Sequence, residues 1–529
     1  MSSQFSLCYS ITRPTANLSL PYSKDFLYIR PKNWYNNNCY YKLLIKGLFM
    51  AEQTPKLVRI DPLRLLMKRQ GQMVTDATIF ASEAIRLEPE AVRQLCDAAS
   101  LPPAKKVLAT ADIHVGFGVP IGAVLGLDKA IMPAAVGYDI NCGMRLLNTP
   151  FSKGQIDTDK IAASIARDIP LGEGKTNLAL DKNCLEDVAC NGVAAIPALA
   201  SKISHRAWEA FEPDEFVDDL KRIEENGNMH GQLTAVPNAA IQKGPDQLGT
   251  LGGGNHFIEI QYVQEIFDQD LAKTFGLHKN QIVVMIHSGS RRFGYEIADQ
   301  YMSIAARSPE MAERKKMLSF LSTESNTGKN YIAAMAAAAN FAFTNRHIMA
   351  LLVRRCFNRM FGPTPLKLIY DVAHNMAKLE THNGNRLWVH RKGATRAFGQ
   401  TQMKNTIFEK IGQPIITPGS MGTASFLLVG TGNSEESLCS VNHGAGRVMS
   451  RTAALGKSKK GRIITPALIT DDQFKRSMQG ITLIAGNKHK IKEEAPHAYK
   501  DIDEVVRIVV ECGWAKQVAR MVPLAVLKG

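Results

Sequence analysis

"QIVVMIHS", residues 281–288, is the stretch whose reading decides the fold class. It is a run of apolar and β-branched residues closed by a histidine and followed by "GSRR", and it reads as a strand that delivers a polar group to a loop. Further strands are expected at "HFIEIQYV" (256–263), "LKLIYDVAH" (366–374), "RLWVHRK" (386–392) and "SFLLVGTG" (425–432). Helices are expected at 88–100, 157–169 and 214–228, and over the long stretch 329–360, whose Ala-rich segment reads as buried. Strands cluster, helices are inserted among them, and regular βαβ alternation is missing. The pattern predicts an α+β fold, a single large mixed-sheet catalytic domain with inserted helices over 50–529.

Residues 1–49 read differently. "NWYNNNCYYK" (33–42) is rich in Asn and Tyr, and the segment carries six Lys/Arg against one acid, Asp25. No apolar core of signal-peptide type follows a basic start. The codons of Lys46-Gly47 form a purine-rich run shortly before Met50, so the segment reads as a translated leader and Met50 as the start of the globular chain.

The chain has 529 residues, a net charge of +15 and 21% charged residues. A basic excess of this size favours a polyanionic partner, nucleic acid first. Nine cysteines lie scattered without a CxxC, which excludes a zinc ribbon or disulfide scaffold and fits a reducing, cytoplasmic setting. The longest apolar stretch, 331–343, falls short of a membrane span, so no membrane partner is expected.

Chemistry concentrates at strand ends and Gly-rich turns. "VGYDINCGMRL" (136–146) places Asp139 and Cys142 three apart, where a strand is expected to end. His256, His287, His374 and His443 stand in comparable settings. Imidazole, thiolate and carboxylate together can bind a transition metal, and a thiolate can bridge two cations. By ligand type alone the set suits zinc. The glycine loops 248–255, 418–425 and 443–447 offer backbone N–H groups to phosphates. "GEGKT" (172–176) is not a P-loop, because Ile169 stands where that pattern needs glycine. Arg291, Arg391, Lys392 and Arg447 lie close in sequence to the histidine motifs and are candidate RNA or phosphate contacts. These residues leave open a metal-dependent nuclease and a non-catalytic RNA-binding protein.

Ten motifs narrow the choice. "ADIHVGFGVPIG" (111–122), "VGYDINCGMRL", "LGTLGGGNHFIEI", "IHSGSRRFG", "AHNMAKLE", "VHRKGATRA", "PGSMGTASF", "NHGAGRVMSR", "EAPHAYKDID" and the terminal "LKG" resemble, in that order, the RtcB family of RNA ligases. The resemblance runs from about Met50 to Gly529. It implies GTP-dependent joining of RNA 3′-phosphate or 2′,3′-cyclic phosphate ends to 5′-hydroxyl ends, in tRNA splicing or RNA repair. It implies two Mn²⁺ ions on Asp139, Cys142, His256, His287 and His374, with Cys142 bridging, and His443 as the guanylylated nucleophile. It also implies GTP contacts at Asn255, Phe257, Glu259, Asn375, Ser425, Tyr499 and Lys528, and from the loops Pro418, Gly419, Ser420, Met421 and Gly444, Ala445, Gly446. Glu259 suits guanine, whose N1–H and N2–H₂ both donate. The resemblance leaves room for an activating partner of the archease type. Asn442 stands before His443, where Ser is more familiar in the family.

Overall fold

The computed structural model describes residues 55–307, 316–459 and 462–529. The expected extension 1–49 lies outside the described residues. Two large sheets organise the rest. The first runs, in spatial order, Val58–Asp61, Arg64–Met67, Ala77–Phe80, Ala104–His114, Ile121–Leu127, Asn385–Lys392 and Asn375–His382. The second runs Leu368–Ala373, Gly143–Ser152, Gln281–Ser288, Phe257–Ile266, Ala515–Lys528, Ser425–Gly430 and Pro414–Thr417, with Thr482–Ala485 parallel to Ala515–Lys528 as its eighth strand. Helices sit between these strands in sequence, so the class is α+β, as expected.

The strand Gln281–Ser288 is buried at every position. Ile282, Val284 and Ile286 enter one core, which also holds the 36-residue helix Asn326–Phe361. Val283 and Met285 enter a second core on the opposite face, with Phe275, Phe408 and Leu427. Cover on both faces explains why the sequence shows a continuous apolar run instead of alternation.

The long helix starts at Ser325, whose hydroxyl accepts from the Gly328 amide, and stops at Gly362 with φ 77°. It is not uniformly apolar. Asn345 accepts from the Gly249 amide (2.8 Å) and donates to the carbonyls of Thr250 and Gly289. Arg346 donates to Asn141 O (2.7 Å) and Ser288 O (3.0 Å) and is clamped by Asp371. Buried polar groups demand partners, and here those partners are the loops that carry the expected ligands.

Two expectations are corrected. The helix over 214–228 ends early: Pro213–Leu220 is helical, and Glu225 and Asn226 adopt positive φ. The carboxylates of Glu224 and Glu225 are drawn to Lys378 and Arg396 of distant strands, which outweighs helix continuation. The turn with Asp139 and Cys142 does not end a strand. It follows the short helix Pro133–Val136 and opens the strand Gly143–Ser152.

Register then collects the histidines. Ala373 pairs with Gly143, and Gly143 with Ser288. Met144 pairs with His287, His287 with Phe257, and Phe257 with Lys528. One end of the second sheet therefore gathers residues 142, 256, 287 and 528. His374 is the single residue between Leu368–Ala373 of the second sheet and Asn375–His382 of the first. Among the described residues, no helix is long and apolar enough to cross a membrane.

Candidate active site

Five side chains converge at that sheet end. Cys142 Sγ lies 3.1 Å from His287 Nε2 and 3.3 Å from His256 Nε2. His256 Nε2 is 2.7 Å from Asp139 Oδ2, and His287 Nε2 is 3.2 Å from His374 Nε2. The His256 Nδ1–H donates to Leu251 O at 3.0 Å, which turns the Nε2 lone pair into the cluster. Two glycines permit this crowding. A Cβ on Gly289 would lie 2.3 Å from Asp139 Oδ1, and one on Gly252 would lie 2.6 Å from His256 Nδ1.

The electrostatics suit a cation. Burial and neighbouring positive groups hold His287 and His374 well below the usual histidine range, so both rings are neutral with free lone pairs. Burial, together with the Asp139 carboxylate, pushes the Cys142 thiol up. Burial would also raise Asp139, but His256 outweighs it and brings its carboxyl down to about 2. Lone pairs face one another across His287–His374, and a cation can take the place of the proton shared by His256 and Asp139. A cation between them satisfies the whole set, and Cys142 stands at the centre with both His256 and His287 in reach. The donor set fits one or two transition-metal ions.

Beside the cluster a cavity of about 550 Å³ opens. Asp139, Cys142 and His287 form one wall with Asn255, Phe257 and Asn375. Pro418, Gly419, Ser420 and Met421 form another, and His443, Gly444, Ala445, Gly446 and Arg447 a third. Tyr499, Lys528, His114 and Glu494 also line it. Asn375 braces the ligand turn: its Nδ2 donates to Asp139 O (3.1 Å) and its Oδ1 accepts from the Gly393 amide (2.8 Å). Asn442 donates to Gly444 O at 3.2 Å and braces the loop after the histidine. His256 and His374 stand behind Cys142 and His287.

His443 lies apart from the ligand contacts, its ring centroid 5.0 Å from that of His374. Its Nδ1 is 2.6 Å from Asp112 Oδ2, which also accepts from the His443 amide at 3.2 Å. Asp112 is fully buried and receives the Thr110 hydroxyl at 2.5 Å. Burial opposes its charge, but His443, Thr110 and nearby Lys500 keep it ionised. The carboxylate therefore fixes the tautomer with Nδ1 protonated. Nε2 is left without a partner among the described residues.

Not every expected residue faces the cavity. Glu259 and Ser425 are buried one layer behind it and share the amide of Gln261, at 2.6 and 3.1 Å. Arg291 is packed beside Asp139 and donates to Thr250 Oγ1 at 3.2 Å. Arg391 and Lys392 are corrected as RNA contacts. Arg391 is buried, with both Glu380 oxygens, Ser440 Oγ and Leu438 O as its acceptors. Lys392 donates to Phe117 O and Ala134 O, and burial lowers its ammonium to about 7. Their strand is internal to the first sheet, and both side chains are buried against protein acceptors. Arg447 does line the cavity, held by Glu494 at 3.2 Å.

Sequence reasoning missed three groups. Asp112 lies in the motif 111–122, and a carboxylate inside the apolar strand Ala104–His114 is the signal that marks it. His114, two residues on, lines the cavity, and burial lowers it to about 4. Glu494 is a buried hub for Tyr499, Arg447, Arg451 and Lys528. Nothing local to "EAPHAYKDID" distinguishes it from a surface acid.

The Asp112–His443 pair leads to a prediction. Asp112→Asn keeps the shape but presents an amide to Nδ1 and favours the other tautomer. Loss of the orienting carboxylate in a comparable His–Asp pair costs about 10⁴-fold in turnover. The rate of His443-dependent chemistry should fall by roughly 10²- to 10⁴-fold with metal content unchanged. Equal loss of metal would show a structural role instead.

Comparison with known proteins identifies the family. A family model described as tRNA-splicing ligase RtcB matches residues 94–529. The chain is 40% identical over 443 residues to a tRNA-splicing ligase RtcB of Pyrobaculum aerophilum, covering 79% of this chain and 86% of that one. It is 37% identical over 510 residues to one of Thermococcus kodakarensis, covering 91% and 100%. It is 38% identical over 499 residues to one of Nanoarchaeum equitans, covering 90% and 99%. A family model over most of the chain and relatives 37–40% identical over most of both lengths place the chain in the RtcB family of RNA ligases.

Proposed function

We propose that this ligase joins RNA 3′-phosphate or 2′,3′-cyclic phosphate ends to 5′-hydroxyl ends, with GTP as cosubstrate, two Mn²⁺ ions and a guanylylated His443. The observation that carries the reading is the Asp112–His443 pair beside a cation-ready cluster, both open to one cavity. A nuclease using the same cluster has no need of an oriented nucleophilic imidazole.

His443 Nε2 attacks the α-phosphorus of GTP; the bond to the bridging oxygen breaks and pyrophosphate leaves. Asp112 balances the positive charge that develops on the imidazole. A cyclic phosphate is opened by water to a 3′-phosphate. An oxygen of that phosphate attacks the guanylyl phosphorus, and the ring regains its lone pair. The 5′-hydroxyl then attacks the 3′-phosphorus, loses its proton and expels GMP. Asp139, Cys142, His256, His287 and His374 would hold the cations, which supply charge neutralisation to the phosphates and acidify the hydroxyl when bound. Lys528, Arg447 and the amides of the 443–446 loop surround the space for phosphate oxygens.

The test is incubation with α-labelled GTP and manganese. An acid-labile GMP adduct mapping to His443 is expected. RNA cleavage without GTP and without adduct would transfer the reading to a nuclease. Deletion of residues 1–49 should leave ligation within about twofold, since none of the proposed site residues lies there; a truncated enzyme that binds metal yet fails to ligate would give that segment a role.

Glu259 offers a separate prediction. Burial raises its carboxyl to about 8, against the opposing pull of Gln261 and Lys528. The folded state therefore holds more protons than the unfolded one between about 4.5 and 8, and this residue's contribution to stability falls as pH rises through that window. Glu259→Gln should gain stability relative to wild type from pH 5 to pH 8, read by thermal melting of the nucleotide-free protein. Glu259 is also the guanine contact of this reading: GTP binding requires the purine to reach this layer behind the cavity wall, and Glu259→Gln, which puts an amide donor in place of one oxygen, should weaken GTP use by about ten- to a hundredfold. Unchanged GTP dependence would place the base elsewhere.

A further inference from the structure

We propose that His382, Glu435 and Cys439 form a second transition-metal site, of the zinc class, that pins the chain just upstream of His443. Their ligand atoms lie within 4.8 Å of one another. The site is separate from the catalytic cluster and opens onto a different cavity, of about 460 Å³, lined by all three residues together with Glu380 and Gln402.

Three observations point to a cation. The first is the orientation of His382. Its Nε2 is 3.0 Å from Glu380 Oε2, and Glu380 is itself clamped through both oxygens by Arg391, at 2.6 and 2.9 Å. Its other nitrogen, Nδ1, faces Glu435 Oε2 at 2.9 Å. A carboxylate behind one ring nitrogen, with the other turned to a ligand set, is how metal-binding histidines are held. The second is the thiol. Cys439 is fully buried, with Sγ 3.7 Å from Glu435 Oε1 and 3.8 Å from Gln402 Nε2. Thiolate and imidazole with one carboxylate select zinc over the hard cations. The third is the backbone. Leu438 and Cys439 adopt φ of 53° and 45°, two successive non-glycine residues in the left-handed region. Strain of this kind persists where the surroundings over-determine it, and such places are enriched in ligand clamps.

Without a cation, protons take its place. Burial disfavours charge on His382, but contacts with Cys439, Glu380 and Glu435 prevail and raise it to about 10. Binding of a divalent ion displaces one proton from Nδ1 and one from Sγ, and solvent from the cavity completes the coordination. The consequence reaches the catalytic histidine. Ser440–Asn442, the strand after Cys439, pairs with Ala394–Arg396 and leads directly into His443. A cation there ties the end of the strand Asn375–His382 to this segment.

The test uses the full chain and two probes. By native mass spectrometry with excess Zn²⁺, Cys439→Ser should bind one equivalent fewer than wild type, and so should His382→Gln. In the Cys142→Ala background, which lacks the catalytic thiolate, added Co²⁺ should still produce a thiolate-to-cobalt charge-transfer band. Cys142→Ala/Cys439→Ser should lose it. Equal zinc counts in wild type and Cys439→Ser would overturn the proposal, as would no band in folded Cys142→Ala or a band that survives loss of Cys439. If Cys142→Ala does not fold, the zinc count decides alone. None of these readouts depends on ligation, so failure here leaves the proposed RNA chemistry standing.

Discussion

His443→Ala should abolish the covalent GMP adduct and RNA sealing together, while the catalytic cluster keeps its metal. Removing a nucleophile that acts with an orienting partner costs on the order of 10⁶-fold in a well-studied case, so activity should fall to background. Metal should remain, because His443 bonds Asp112 and none of the five ligand groups. The variant leaves Asp112 buried with one fewer partner, which costs about 1–3 kcal/mol, though Thr110 still donates to it. A melting temperature lowered by several degrees is therefore expected, with the fold intact. Intact-mass analysis after incubation with GTP and manganese gives the readout. An adduct of GMP mass on the variant would move the nucleophile to another residue, His114 being the neighbouring candidate in the same cavity.

Cys142→Ala should be the most damaging substitution among the ligands. The thiol touches two histidines, one on each side, and stands midway along the series Asp139–His256–Cys142–His287–His374. Loss of a shared thiolate should release both ions, with ligation down by at least about 10³-fold, while His374→Ala should release one. The folded state should survive, since the carbonyls of Asn141 and Ser288 remain tied to Arg346. Elemental analysis of purified protein separates the two outcomes. Two ions retained in Cys142→Ala would refute the bridging role and place the cations on the histidines and Asp139.

Much of the site was legible in the sequence because its chemistry is written in local motifs. A cysteine three residues after an aspartate, histidines next to strands and glycines that clear space beside them are all properties of short segments. Strands with period or composition set by burial were legible for the same reason: Gln281–Ser288 is apolar throughout because both of its faces are covered. The cationic residues were less legible. Arg391 and Lys392 have the same composition as phosphate-binding groups, and only their place on an internal strand turns them toward Glu380 and backbone carbonyls.

What the sequence determined by itself is the family, the α+β class, the candidate ligand set and the candidate nucleophile. What the tertiary structure decided is how these groups are oriented and which charges are consumed. Asp112 meets His443 across 331 positions, and Glu225 meets Arg396 across 171, which accompanies the early end of the helix at Leu220. Such pairings depend on strand register and on the burial of charge. A carboxylate removed from water must find a cation or donors, and which one it finds is set by the packing of two sheets that no short segment specifies.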